Sequence, residues 1–300
     1  MTPALSRKEL SGSKAYIFGL VIIAVFASLA IFAPLLTPHD PYKSGFGQAN
    51  LPPMWVQNRS DPGVIDHPLG TDPLGRDIFS RYLYGVRTTF VLALGSIPFM
   101  AIFGTLVGVV AGYLGKRIDN VITTILDILQ SIPGIMFVVI TILILRNTFK
   151  PTWINGCITL IISYSIIGWV GLARIVRINV LQIKTQLYIE SAISIGATPW
   201  RIISKHIVPN ISHLVIVWII NNFPAIILME AILGYIGVVI TRALGGNDFS
   251  VVSWGGLFYA GRAALSYNPT LLLVPSLSLL LLSMGFILVG DHFQRKFEKV

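Results

Sequence analysis

Charge and cysteine are what this 300-residue chain has least of. Asp, Glu, Lys and Arg together make up 12% of the residues, too few to cover the surface of a water-soluble domain of this size. The single cysteine, Cys157, lies inside an apolar run, which excludes a disulfide framework and reads as a small buried hydrophobe. A phosphate-binding loop is also missing. The one lysine near several glycines, Lys116, is followed by Arg117 instead of Ser or Thr, and Ser11-Gly12 extends into no nucleotide-binding signature. His39, His67, His206, His213 and His292 are scattered at spacings that match no metal motif. No Ser, Cys or His constellation suggests covalent catalysis either. These absences leave a chain with no metal, cofactor or catalytic residues of its own that the sequence can point to.

What is present is apolar sequence in long runs, amounting to 54% of the chain. Residues 15–36 and 271–290 contain no Asp, Glu, Lys or Arg, and each is long enough to cross a hydrocarbon core of roughly 30 Å. Six helical spans are expected in all, at about 15–36, 88–113, 121–145, 153–173, 214–237 and 271–290. The fold class is therefore all-α, a polytopic membrane helix bundle. The first run follows Arg7, Lys8 and Lys14 and is longer than the apolar core of a secretory signal, so it is read as an uncleaved anchor.

A formal net charge of +9 could suggest nucleic acid, but the basic residues sit in short clusters between apolar runs, the pattern of membrane topology. With the N-terminus inside, the inner side receives Arg7, Lys8, Lys14, Lys116, Arg117, Arg174, Arg177, Lys184, Arg201, Lys205, Arg295, Lys296 and Lys299. The long polar loop at 37–87 balances five basic residues, Lys43, Arg59, Arg76, Arg81 and Arg87, with five acidic ones, Asp40, Asp61, Asp66, Asp72 and Asp77. Both termini are then cytoplasmic. The division expected is a cytoplasmic segment 1–14, an anchor 15–36, an extracytoplasmic loop 37–87, a core 88–290 with a cytoplasmic loop 174–213, and a cytoplasmic tail 291–300.

Within the spans, Gly104, Gly108 and Gly112 recur every four residues, so a neighbouring helix can approach closely along that face. Pro224, after Asn221 and Asn222, predicts a kink or break in the fifth span. Asp127 and Glu230 fall in or near spans, where a carboxylate needs protein, water or a basic partner. They are the candidate pathway or gating residues. The competing expectation is that Asp127 sits at the inner interface and Glu230 pairs inside the bundle.

The cytoplasmic loop has its own helical grammar. Residues 188–210 read YIESAISIGATPWRIISKHIVPN; Ile189, Ala192, Ile193 and Gly196 share a narrow face, and Gly196 suits the left-handed conformation that ends a helix. Thr198 can cap a second helix with Pro199 at its first position. Arg201 and Lys205 lie one turn apart on it, and Pro209 is expected to mark the return towards the bilayer.

Glu190-Ser191-Ala192, then Gly196, then Ile207-Val208-Pro209, resemble the EAA loop of permease subunits in ATP-binding-cassette importers. Ser191 stands where that motif has Ala, His206 where it prefers an aliphatic residue, and Val208 where it has Leu. His206 to Asn210 is similar to the His-Ile-Leu-Pro-Asn ending of the dipeptide, oligopeptide and nickel branch. A second stretch, HPLGTDPLGRD from His67 to Asp77 with Ser80, Arg81, Gly85 and Arg87, is similar to a signature of the same branch. Its Gly70 and Gly75, with Pro68 and Pro73, enforce tight turns that Asp72, Arg76 and Asp77 can pin, the expectation for a rigid outer cap. Weaker matches run through Gly112-Tyr113-Leu114-Gly115, Asp119, Ala173-Arg174, Arg177, Ser253-Trp254-Gly255 and Gly290-Asp291.

The resemblance implies a type I importer permease that couples through Glu190, Ser191, Ala192, Gly196, Arg201 and Pro209 to a separate ATPase. It implies a second, homologous permease subunit, two cytoplasmic ATPases carrying ATP and magnesium, and an extracytoplasmic solute-binding protein that delivers dipeptides or oligopeptides. Nickel or metal-chelate uptake is the alternative within the branch. An ion-coupled secondary carrier using Asp127 and Glu230 is the alternative outside it, and a membrane hydrolase using the Asp and His residues of the polar loop is a further one.

Overall fold

The computed structural model describes residues 7–45, 47–56, 62–145, 148, 152–238, 241–244 and 247–297. Arg59, Asp61 and Lys299, counted in the charge balance above, lie outside these residues. The helices in chain order are α1 (Arg7–Leu36), α2 (Ile78–Tyr113), α3 (Lys116–Ser131), α4 (Gly134–Leu145), α5 (Trp153–Gly168), α6 (Val170–Lys184), α7 (Leu187–Ser194), α8 (Pro199–Ile202), α9 (Val208–Tyr235), α10 (Trp254–Ala264) and α11 (Thr270–Phe297). A two-stranded antiparallel hairpin, β1 (Thr241–Leu244) and β2 (Asn247–Ser250), joins α9 to α10.

Five helical stretches are long and apolar enough to cross a membrane: Lys14–Leu36, Ile78–Tyr113, Trp153–Lys184, Pro199–Tyr235 and Thr270–Phe297. The bent pair α3–α4 makes a sixth if it is one span. Large apolar side chains such as Ile31, Leu106, Ile128, Leu277 and Leu280 point outward from these helices, as lipid-facing residues do.

Several boundaries differ from expectation. The second helix begins ten residues early, because Asp77 caps it by accepting the Ser80 N–H, and Arg81 is buried by partners that sequence does not place beside it. The polar loop therefore ends at Asp77 and not at Arg87. The run 121–145 is two helices bent by 81°, with Ile132 extended and Pro133 between them, since the residue before proline is driven out of the helical region. The run 153–173 extends as α5 and α6 to Lys184. The fifth span passes through Pro224 as continuous helix from Val208 to Tyr235, so no break divides it.

The bundle is assembled around α2. Its glycine face lies on α6: a Cβ on Gly108 would stand 2.6 Å from the Ala173 carbonyl oxygen and 2.7 Å from Val176 Cβ. Gly104 and Gly112 meet Leu172 and Val180 in the same way. On the other side of α2, Phe26 and Ala30 of α1, Ile227 of α9, Trp254 of α10 and Leu282 and Phe286 of α11 form one apolar core. A second core joins Leu92, Ile97 and Met100 of α2 to Val138, Leu160 and Tyr164.

Candidate functional site: a helical elbow and a charged cap

With 36 residues, α2 spans about 54 Å, and the two conspicuous sequence motifs lie at its opposite ends. At the C-terminal end, Lys184 donates to the Tyr113 carbonyl at 2.9 Å, tying the end of α6 to that of α2. The chain then turns into α7. Gly196, at φ +84°, ends α7: its N–H donates to Ile193 O, and the Ala197 N–H donates to Ala192 O at 3.0 Å. These paired bonds form the six-to-one and five-to-two closure that needs a left-handed residue in the middle. Thr198 starts the next helix, its hydroxyl accepting the Arg201 N–H, with Pro199 first in line.

The elbow has a dry base and an apolar crown. Ile189, Ile202, Ile207 and Ile211 are fully buried against Val109, Val176 and Val180. Leu187, Ile193, Ile195 and Trp200 face outward, Ile195 at 87% and Trp200 at 76% exposure. Of the residues expected to couple, Glu190, Ser191, Gly196, Arg201 and Pro209 are exposed and Ala192 is buried. Among the described residues Glu190 forms no ion pair, and Ser191 Oγ donates to Leu187 O.

Pro209 lies in the first turn of α9, where the chain runs from the elbow into the fifth span. Residues Ile203–Ile207 form a π-helical turn, with the Val208 N–H reaching back to Ile203 O, and α9 follows without interruption. A wider turn at this point accommodates a proline that lacks an N–H and crowds the carbonyl before it. Pro199–Tyr235 is thus one 37-residue helical stretch.

At the N-terminal end of α2, the HPLGTDPLGRD segment is a compact charged cap. Asp72 is fully buried; its Oδ1 accepts the N–H groups of Leu74 and Arg76, and its Oδ2 accepts Arg76 Nε at 2.7 Å, with Arg81 Nε 3.7 Å away. Arg81 donates to the Pro41 carbonyl at 2.9 Å. Asp77 accepts Ser80 N–H on one oxygen and lies 3.0 Å from His67 Nδ1 on the other. Gly70 and Gly75 carry positive φ, and Gly75 is stacked directly on the Gly45 backbone. Tyr42 joins the cap edge-on to Tyr84, and burial pushes its phenol above the ordinary range, so it stays neutral.

Two cap residues escaped the sequence reading. Asn268 Nδ2 donates to the carbonyls of Leu51 and Leu69, and Thr270 Oγ1 donates to Leu69 O at 3.0 Å. They hang the loop from the start of α11. Asn-Pro-Thr just before an apolar run was the available signal, since Asn and Thr there readily bond to nearby backbone.

Three further carboxylates, Glu230, Asp127 and Asp119, have partners. Glu230, 4% exposed, accepts the Gly255 N–H at 2.9 Å and the Thr89 hydroxyl at 3.2 Å, joining α9, α10 and α2. Gly234 lies against the Gly255 backbone beside it. Asp127 is half open to its surroundings and bonds Arg174 at 2.6 Å. Asp119 receives Arg177 through both Nε and Nη2. Both pairs fasten α3 to α6. The geometry of Glu230 is that of a clamp, and Asp127 is an exposed partner of Arg174. His39 and His67, 28 residues apart in sequence, are in ring contact.

The chain is a helix bundle with five or six stretches able to span a membrane and an elbow seated on its end. The chain belongs to the family of binding-protein-dependent transport system inner membrane components, whose model matches residues 104–299. Residues 4–53 match the N-terminal transmembrane domain of oligopeptide transport permease C. The chain is 33% identical over 279 residues to the oligopeptide transport system permease protein OppC of Bacillus subtilis, covering 93% of this chain and 83% of that protein. It is 32% identical over 288 residues to the dipeptide transport system permease protein DppC of the same species, covering 96% and 82%. It is 30% identical over 274 residues to the glutathione transport system permease protein GsiD of Pectobacterium atrosepticum, covering 91% and 82%.

Proposed function

We propose that this chain is a pore-forming permease subunit of an ATP-driven peptide importer, working beside a second permease subunit, two ATPases that hold ATP and magnesium, and a solute-binding protein. The observation that carries the reading is the elbow. Four buried isoleucines anchor it to α2 and α6 while Leu187, Ile195 and Trp200 stand in the open. An apolar crown among the charged residues Glu190, Arg201 and Lys205 suits a protein groove, and its Trp200 belongs to the same helical stretch that reaches Glu230. Closure of the ATPases would move the elbow and, through α9, the contacts among α9, α10 and α2.

On this reading the elbow and both termini are cytoplasmic, the membrane is the bacterial inner membrane, and the charged cap faces the binding protein. Relatives named for oligopeptides, dipeptides and glutathione favour peptides as cargo over nickel. An ion-coupled carrier is disfavoured because Asp127 is already paired with Arg174 and Glu230 is closed in by backbone and hydroxyl partners.

The test is uptake of labelled di- and oligopeptides into proteoliposomes holding the complete assembly, with ATP inside and the binding protein outside. Uptake that requires both is the expected result. Uptake that persists on a proton gradient without ATP would overturn the proposal.

A further inference from the structure

Three residues that are far apart in sequence meet beside the charged cap. His39 follows the end of α1, His67 opens the HPLGTDPLGRD segment, and Asp77 caps α2. One ligand atom from each lies within 4.8 Å of the other two. The His67 Nδ1 to Asp77 Oδ1 edge is already 3.0 Å, close to the roughly 3.3 Å between neighbouring donors around a tetrahedral ion with bonds near 2.0 Å. The imidazoles of His39 and His67 lie 4.6 Å apart, centroid to centroid, and are tilted by 35°.

We infer that His39, His67 and Asp77 form a binding site for a divalent transition metal of the zinc class, one that clips the exit of α1 to the start of α2. Two imidazoles and one carboxylate are a borderline donor set that selects such ions over magnesium or calcium, which take oxygen ligands. The ligands are held from behind. Asp77 Oδ2 is fixed by the Ser80 N–H at 2.7 Å, and the His39 backbone N–H donates to Ser80 Oγ at 3.2 Å. Secured ligands of this kind are what metal sites require.

His67 and Asp77 are buried whereas His39 is exposed, so His39 can rotate the last about 1.5 Å to complete the site, and water can take the fourth position. An ion seated between His67 Nδ1 and Asp77 Oδ1 takes the place of their direct contact. The positive end of the α2 dipole opposes a cation here and lowers the affinity by about two- to fivefold. The assignment does not depend on the transport reading or on which side of the membrane the cap faces.

The experiment titrates zinc into the purified full-length chain in lipid nanodiscs against a chromophoric chelator of micromolar affinity, and repeats it with cobalt to read visible absorption. One equivalent of zinc that excess magnesium does not displace, with the strong absorption of four-coordinate cobalt, is expected. His39→Ala removes an exposed ligand and should weaken binding by at least about tenfold; Asp77→Asn should do the same. Failure to take zinc from the chelator would overturn the site. Equal binding by wild type and His39→Ala would also overturn it, by placing the ion on other histidines.

Discussion

The carboxylate of Glu230 accepts the Gly255 amide at 2.9 Å, inside a contact so close that Gly234, one turn further along α9, lies against the backbone of Gly255. Glu230 thus joins α9 to α10, as the expectation of a pairing inside the bundle had it.

Removing that joint should cost stability before it alters selectivity. Glu230→Ala leaves the buried Gly255 N–H without its acceptor and should destabilise the fold by about 1–3 kcal/mol. Glu230→Gln keeps an acceptor oxygen and should cost less. Thermal unfolding of the two purified variants orders them, and equal midpoints would refute the clamp.

The glycine face of α2 gives a steric contrast. Gly108→Val pushes side-chain atoms into Ala173 O and Val176, and overpacking of this kind costs about 1–3 kcal/mol. Gly171→Ala meets nothing within 4 Å and should be silent. Detergent stability of the monodisperse protein separates the two.

The elbow should divide cleanly between base and crown. Ile202→Ala opens a cavity at a fully buried position and should cost about 2–5 kcal/mol. Trp200→Ala and Ile195→Ser alter exposed residues; they should leave thermal stability unchanged while lowering co-purification of the ATPase and peptide uptake. Unimpaired uptake in the crown variants would remove the docking argument.

The two pairs that fasten α3 to α6 should differ in strength. Arg174–Asp127 is open, with side chains 40% and 59% exposed, whereas Arg177–Asp119 is two-pronged and 21% and 13% exposed. Double-mutant cycles should give about 1 kcal/mol or more for the second pair and about 0.5 kcal/mol or less for the first. Added salt should erase only the weaker coupling.

Much of this architecture was legible because its rules are local. The apolar runs, the left-handed glycine at 196 and the Thr198-Pro199 start each follow from a few neighbouring residues, and the structure holds all three. The misses arose where a distant partner decides. Arg81 looks too polar for a helix interior until Asp72 and the Pro41 carbonyl are placed around it. Spacing said nothing of His39 and His67, because contact across a folded loop leaves no periodic trace.

A helical stretch of 37 residues from Pro199 to Tyr235 is about 55 Å long, and it runs without a loop from the elbow to the Glu230 joint. Such a rod has little slack. A displacement applied at Trp200 would pass two compliant places on its way to Gly255, the π turn at Ile203–Ile207 and the turn before Pro224. The stiffness of these two turns would therefore set how much of each stroke arrives at the far end.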